Sequence, residues 1–449
     1  MVMVQGNTLR ELVDLEHGII SREVYVNEEI YQREQEQIFA RSWLFVGHES
    51  QVPNPGDYFQ SRMGEEAVLL VRDRKGELHV FLNTCRHRGM KVCRYDEGNT
   101  LLFTCPFHGW SYDTDGRLVG VPEYQTAYHG ELDKSSWGLA EARITNFYGG
   151  IWANWDPEAP SFEEYLGDFA VYLRPLFQGD DGRDRGVEVF GGVHKWRMPS
   201  NWKFPGISFG NDDAHGAITH RSVNVAAIGP QGDLGGGSRH ELRGSWPSVS
   251  AEVFMPGLGH SGGFNVKEAG EPYQNTWQTM PSIDDYFRQA HEARMERFRG
   301  QKLFSGSGGV APNMNWQGGG GMRKAIVVWH PAGVDMTECW RFYLIDKGAP
   351  QEVRDAIRWY QMRYAGPAGL TESDDMENWN YAHPASKGTI ARRYPYNYQR
   401  GLGHDYEDQS IMPGRLGQTE DGQRNRFARW LDLMEVRSWK DLYPKKGAT

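Results

Sequence analysis

Residues 83–110 read NTCRHRGMKVCRYDEGNTLLFTCPFHGW. Cys85 and His87 form a Cys-x-His pair, and after seventeen residues Cys105 and His108 form Cys-x-x-His. Two thiolates and two imidazoles carried on two short loops make a metal-binding set. Structural zinc usually takes paired cysteines separated by about two to four residues, and Cys-x-His is tighter than that. One intervening residue lets both side chains leave an extended loop toward the same side, which suits two adjacent metals better than one tetrahedral ion.

A two-iron cluster satisfies this geometry, with both thiolates on one iron and both imidazoles on the other, as in Rieske centres. Neutral imidazole in place of thiolate removes negative charge, so the reduced form is easier to reach and the centre passes single electrons. Gly89 and Gly109 free the two loop backbones to approach sulfide, and Pro106 stiffens the second loop. Cys93 lies between the pairs, the second loop offers no extra cysteine to pair with it, and it reads as a small buried residue.

Outward from the loops, EAVLLVRD and LHVFLN flank the turn Arg74-Lys75-Gly76, and LLFT, RLVGV and ITNFYGGIWANW follow between Gly, Asn and Asp. This texture predicts a small antiparallel β domain over 43–155 with the Cys/His loops at its tips. Residues 1–42 form an N-terminal helical segment, in which Asn27 caps a helix from Glu28 to about Ser42 with Ile30, Ile38 and Phe39 on one side. Residues 156–449 mix strands, glycine-rich loops and helices. LGGGS, LGHSGG and QGGGG punctuate 234–321 and read as mobile loops or close backbone approaches. A helix is predicted from Ser282 to Phe298, with Asp285 completing a capping-box-like start. AIVVWH and CWRFYLID read as strands, a helix follows over Gln351 to Tyr364, and Gly366-Pro367 ends it. A second helix from Thr371 places Asp374 and Asp375 in its first turn.

The chain has 449 residues, enough for two or three structural units and a full apolar core. Its 49 Lys and Arg against 59 Asp and Glu, with no segregated basic patch, argue against nucleic acid as a partner. Four cysteines, Cys85, Cys93, Cys105 and Cys339, are too few and too unevenly placed for a disulfide framework. With no signal-like start and no long apolar run, the expectation is a cytoplasmic protein with no membrane span. Tryptophan numbers sixteen, which suits large buried contacts and an apolar ligand cavity equally.

A second constellation lies in NWKFPGISFGNDDAHGAITH, residues 201–220. His215 and His220 are five apart, about 140° around an ideal helix, so a common metal requires a bent or π-bulged segment. Gly216 makes such a distortion cheap. Two neutral histidines and one carboxylate leave open positions on Fe(II), the facial arrangement of non-haem oxygenases. An electron store needs an electron sink, and the acidic stretch Glu372-Ser373-Asp374-Asp375 is the best supply of the carboxylate.

Together these residues resemble the large (α) subunits of Rieske non-haem iron aromatic-ring-hydroxylating dioxygenases, especially those acting on naphthalene, biphenyl and larger polycyclic hydrocarbons. The resemblance covers nearly the whole chain: REVYVNEEIYQ, SWLFVGHES at 42–50, both cluster loops, NWK at 201–203, Asp-x-x-His-x4-His, WHPAG at 329–333 and AGPAGLTESDDMENW at 365–379. It implies an α+β fold in which a small antiparallel β Rieske domain is inserted into a larger α+β catalytic domain with a central antiparallel sheet and flanking helices. It also implies a terminal oxygenase that adds O2 to an aromatic hydrocarbon to give a cis-dihydrodiol, with NADH electrons arriving through a reductase and a ferredoxin. The alternatives are a Rieske monooxygenase or a dioxygenase acting on an aromatic acid, and a pure electron carrier.

Carried over residue by residue, Cys85 and Cys105 hold one iron of the [2Fe–2S] cluster, and His87 and His108 hold the other. His215, His220 and Asp375 bind the mononuclear Fe(II). Asp212 matches the family's bridging aspartate, which links a cluster histidine of one subunit to an iron-ligand histidine of the next in a head-to-tail α3 trimer, with or without a small β subunit (α3β3). The exposed face of Trp110 and its neighbours resembles the ferredoxin docking site. The pocket positions are Ser208, Phe209, Asp213, Ala214, Gly216 and Leu370. This chain departs from the family at two of them: Ser208 replaces the asparagine beside the iron, and Ala214, followed by Gly216, replaces an aromatic residue.

Overall fold

In a computed structural model, the structure describes residues 3–443 apart from 5–6, 210–211, 213–214, 227–249, 269, 271, 274–276, 278–279, 319–323, 405–413 and 417–418. The chain forms two compact units, Phe39–Ala159 and the combination of Met1–Ile38 with Pro160–Thr449. The first is four residues wider at each end than the span 43–155. The added residues flank its end strands and are tied to them and to each other: the Asn154 side-chain amide donates to the Arg41 carbonyl at 2.8 Å, and Arg41 lies 3.6 Å from Asp156.

The smaller unit is built on a seven-stranded antiparallel sheet, ordered Leu44–His48, Gly150–Asn154, Glu141–Phe147, Leu78–Leu82, Glu66–Arg72, Asp57–Met63 and Glu97–Asn99. A three-stranded sheet of Leu102–Thr104, Ser111–Asp113 and Leu118–Gly120 accompanies it. Alternating apolar residues turn inward, and Tyr58, Leu69, Phe81, Phe103 and Tyr112 share one core with Cys85, Cys93 and Cys105. The cysteines are therefore seated in apolar surroundings.

The larger unit carries an eight-stranded antiparallel sheet: Val187–Met198, Thr337–Asp346, Lys324–Pro331, Met314–Gly318, Lys302–Val310, Ser261–Glu268, Ser250–Phe254 and Gly414–Leu416. Lys324–Pro331 and Thr337–Asp346 are the expected AIVVWH and CWRFYLID strands, buried along almost their whole length. Of the glycine runs, LGHSGG contributes a close approach: a Cβ on Gly262 would meet the Ser307 carbonyl oxygen at 2.5 Å. LGGGS lies outside the described residues, as does most of QGGGG.

Three helices follow their sequence signals closely. Asn27 accepts from the Glu29 and Ile30 N–H groups and caps Glu28–Glu34, which runs on into a π-turn over Gln35–Phe39. Gln351–Tyr364 turns Val353, Ile357, Tyr360 and Tyr364 into a core with Trp277 and Phe287. The helix Pro281–Arg297 forms without the expected Asp285 cap: Asp284 accepts from the Trp277 N–H at 3.1 Å and the Tyr273 hydroxyl at 2.8 Å, while Asp285 pairs with Arg288 at 2.9 Å. The fourth helix is Leu370–Ala385, one residue earlier than expected, so Asp374 and Asp375 fall in its second turn rather than its first. No helix among the described residues is long and apolar enough to cross a membrane.

The NWK triplet is the keystone of the N-terminal packing. Glu34, fully buried, accepts from Lys203 Nζ at 2.7 Å, Trp202 Nε1 at 2.8 Å and Trp430 Nε1 at 2.7 Å. Burial pulls the Lys203 pKa down and Glu34 opposes this. Removing one partner of such a pair strands the other charge, so Glu34→Ala should lower unfolding free energy by about 3–5 kcal/mol, and Glu34→Gln by less. Chemical denaturation of the three proteins checks this; a loss under about 1 kcal/mol for Glu34→Ala would place the network outside the folding core.

Candidate metal centres

The two Cys/His loops have the same backbone plan. In the first, the Cys85 N–H donates to the Met90 carbonyl (2.7 Å) and the Gly89 N–H to the Cys85 carbonyl (2.9 Å). In the second, the Cys105 N–H donates to the Trp110 carbonyl (2.8 Å) and the Gly109 N–H to the Cys105 carbonyl (3.0 Å). Gly89 (φ 74°) and Gly109 (φ 73°) turn each loop in a left-handed conformation that other residues avoid.

Cys85 and Cys105 are free and only 3% and 2% exposed. The rings of His87 and His108 meet edge to face at 4.6 Å, and the Nδ1 atom of each is buried with no hydrogen-bond partner among the described residues. Two buried thiols and two orphaned imidazole nitrogens fit a two-iron cluster, whose iron takes the lone pairs that the protein leaves unused. Burial lowers the His87 pKa, with His108 and Arg88 adding to the effect, which favours the neutral, metal-binding form. The Tyr112 hydroxyl lies 3.4 Å from Cys85 Sγ and accepts from the Arg86 N–H at 3.0 Å, a contact that no local motif announces. Cys93 is buried apart from the set, its N–H donating to Asn83 Oδ1 at 3.0 Å.

Trp110 departs from expectation. It is 4% exposed, because its indole stacks on the His87 imidazole at 5.0 Å and 10° and meets Tyr128 and Trp137 edge-on. Its face is therefore covered and not exposed as expected. Exposed groups on and beside these loops include Phe107, at 59%, and Tyr95, with Arg86, Arg88, Lys91 and Arg94.

In the larger unit, His215, His220 and Asp375 each offer one ligand atom, and the three atoms lie within 4.8 Å of one another. Asp375 Oδ1 is 3.3 Å from His215 Nε2 and 3.5 Å from His220 Nε2. The expected bend is present: His220 is a turn residue between the helices Gly216–Thr219 and Arg221–Val225, which brings it round to the side of His215.

Each histidine also turns its Nδ1 toward a second acid. His215 Nδ1 is 3.6 Å from Asp212 Oδ1, and His220 Nδ1 is 3.5 Å from Asp374 Oδ2, which is itself held by the Ser222 hydroxyl at 2.6 Å. Such outer carboxylates fix ring orientation and leave Nε2 for a metal. Sequence reading offered Asp374 only as a rival ligand, and Ser222 not at all.

Burial works against a charge on His215, but Asp212 and Asp375 together raise its pKa to about 10. Burial lowers the His220 pKa, with the His215 charge adding to the effect and Asp375 opposing it. A divalent cation between the three would satisfy the same carboxylate, and a mixed N, N, O set suits Fe(II) with open positions.

Of the pocket positions, Phe209 is half-buried against Trp329 (5.2 Å) and Trp379 (6.3 Å). Leu370 packs on the core of Trp277, Ile357 and Tyr360. Gly216 opens its short helix. Asp213 and Ala214 lie outside the described residues, and of Ser208 only its place in the helix Lys203–Ser208 is described.

Residues 42–135 match the family model of the Rieske [2Fe-2S] domain. The chain is 36% identical to biphenyl 2,3-dioxygenase subunit alpha of Rhodococcus jostii (strain RHA1), over 97% of its own length and 93% of the relative's. It belongs to the α subunits of the Rieske aromatic-ring-hydroxylating dioxygenases. Benzene 1,2-dioxygenase subunit alpha of Pseudomonas putida is 35% identical over 97% of this chain and 95% of that one. Among solved structures, naphthalene 1,2-dioxygenase from Rhodococcus sp. bound to indole superposes with a TM-score of 0.81 at 30% identity, covering 98% of this chain and 99% of the other. As an α subunit of this family, the chain is an oxidoreductase that works with a Rieske cluster, a mononuclear iron and O2.

Proposed function

We propose that this α subunit is a terminal oxygenase that adds both atoms of O2 across a double bond of an aromatic hydrocarbon, giving a cis-dihydrodiol. The observation that carries this reading is the convergence of His215, His220 and Asp375. The reaction consumes two electrons and two protons per O2, and forms two C–O bonds while the O–O bond breaks. When bound, the cluster would supply electrons one at a time and the iron would activate O2.

The remaining work falls to side chains. Cys85, His87, Cys105 and His108 hold the cluster inside the apolar core. His215, His220 and Asp375 hold the iron, with Asp374 and Ser222 orienting His220. We assign Asp212 to the electron route from a neighbouring copy's cluster, because it already faces the Nδ1 of an iron-ligand histidine. Phe209 and the half-buried Met376 and Trp379 line the ligand-bearing segments with apolar surface, which favours a hydrocarbon over a charged substrate.

The electron donor is a ferredoxin, docking on Phe107 and the basic groups Arg86, Arg88, Lys91 and Arg94. A small β subunit completes the oxygenase, and four free cysteines suit the cytoplasm. Turnover of benzene, biphenyl and naphthalene with 18O2, a surrogate ferredoxin and reductase tests the proposal. Mass spectrometry should find two labelled oxygens in a diol. One labelled oxygen would mean a monooxygenase, and no O2 uptake with any aromatic would leave only an electron carrier.

A further inference from the structure

Arg341 and Glu372 form an ion pair in which both residues are at most 1% exposed. Arg341 sits on the strand Thr337–Asp346, and Glu372 is the third residue of the helix Leu370–Ala385. Arg341 also donates to Gln317 Oε1 at 3.3 Å, and its guanidinium lies 5.8 Å from the centre of the Phe209 ring. Asp375 is three residues after Glu372 on the same helix, and Phe209 is three residues before Asp212. One buried cation on the sheet therefore touches both chain segments that bring the candidate iron ligands together.

The same helix turn is pinned a second time, since the Thr371 hydroxyl donates to the Tyr364 carbonyl at 2.5 Å. Residues three apart on a helix are neighbours, so Glu372 and Asp375 repel when both are ionised. Burial pushes the Glu372 carboxyl up, Arg341 opposes this, and the Asp375 charge adds to it. With Arg341 engaged by Glu372, Asp375 is the carboxylate left to face the two histidines.

We infer that Arg341 and Glu372 are positioning residues for the mononuclear metal: they lock the first turn of the helix against the sheet and so set where the Asp375 carboxylate stands relative to His215 and His220. This rests on the proposed iron site. A purely structural pair would lower stability and leave metal affinity and geometry as they are.

The test uses full-length protein with its cluster intact and the mononuclear metal removed by chelation, titrated with Co(II), whose visible spectrum reports coordination geometry. Glu372→Gln and Arg341→Met should weaken Co(II) binding about tenfold or more, as loss of outer-sphere support does, and should change the spectrum. Arg341→Lys, which keeps the charge, should fall between Arg341→Met and the parent. Parental affinity and spectrum in both Glu372→Gln and Arg341→Met would overturn the inference, whatever their melting points. Should Arg341→Met fail to fold, Glu372→Gln decides alone: its amide still accepts one Arg341 N–H and so keeps the fold, but it loses the charge that holds Arg341 away from Asp375. Asp375→Ala serves as control: parental Co(II) binding there would sink the iron-site assignment itself, a failure separate from that of the pair.

Discussion

Asp375→Ala should purify with its cluster spectrum intact, with iron falling from about three to about two per chain, and with product formation at assay background. The reason is geometric. Asp375 is 5% exposed and reaches both His215 Nε2 and His220 Nε2 within 3.5 Å, whereas Asp374 approaches His220 only from the Nδ1 side. Two histidines without the carboxylate lose charge neutralisation and one of the three ligands of the facial set that holds Fe(II). Asp374→Ala is the informative contrast. It frees the His220 ring and Ser222, so iron affinity should weaken by roughly 10–100-fold while saturating iron restores turnover. Metal analysis with the visible spectrum checks both variants. If Asp374→Ala empties the site and Asp375→Ala does not, the carboxylate ligand is the wrong one of the two.

His87→Ala or Cys105→Ser should abolish the cluster's visible absorption and its paramagnetic signal in the reduced state, and all turnover with them. Each removes one of four ligands from loops whose backbone hydrogen bonds otherwise stay in place. The loss should extend to stability, because Cys85 and Cys105 belong to the core of the smaller unit and metal binding contributes directly to folding. Cys93→Ser provides the counterpart. That thiol lies outside the ligand set, with its N–H already paired to Asn83, so its cluster spectrum should match the parent's. A full parental spectrum in either ligand variant would refute the assignment.

Of the cluster loops, almost everything was legible in the sequence, because Cys-x-His and Cys-x-x-His act over a few residues, where loop geometry is local and Gly89 and Gly109 mark the turns. The β texture around them and the buried pair of strands at AIVVWH and CWRFYLID were legible for the same reason: a period of two needs no distant partner to be recognised. The candidate iron triad was legible only in part. His215 and His220 announce a metal weakly by spacing, and resemblance to known oxygenases singled out Asp375.

Tertiary structure alone decided which nitrogen meets which acid. Adjacent helical residues such as Asp374 and Asp375 point about 100° apart, and only the position of the helix against His220 determines which carboxylate faces Nε2 and which faces Nδ1. It also buried Trp110 against the His87 ring, where the resemblance implied an exposed face, and left the helix Pro281–Arg297 without the side-chain cap expected from Asp285. Arg341 and Glu372 lie 31 residues apart and Glu34 and Lys203 lie 169 apart. No local pattern encodes such pairings, because a buried charge takes its partner from whichever strand or helix the fold lays beside it.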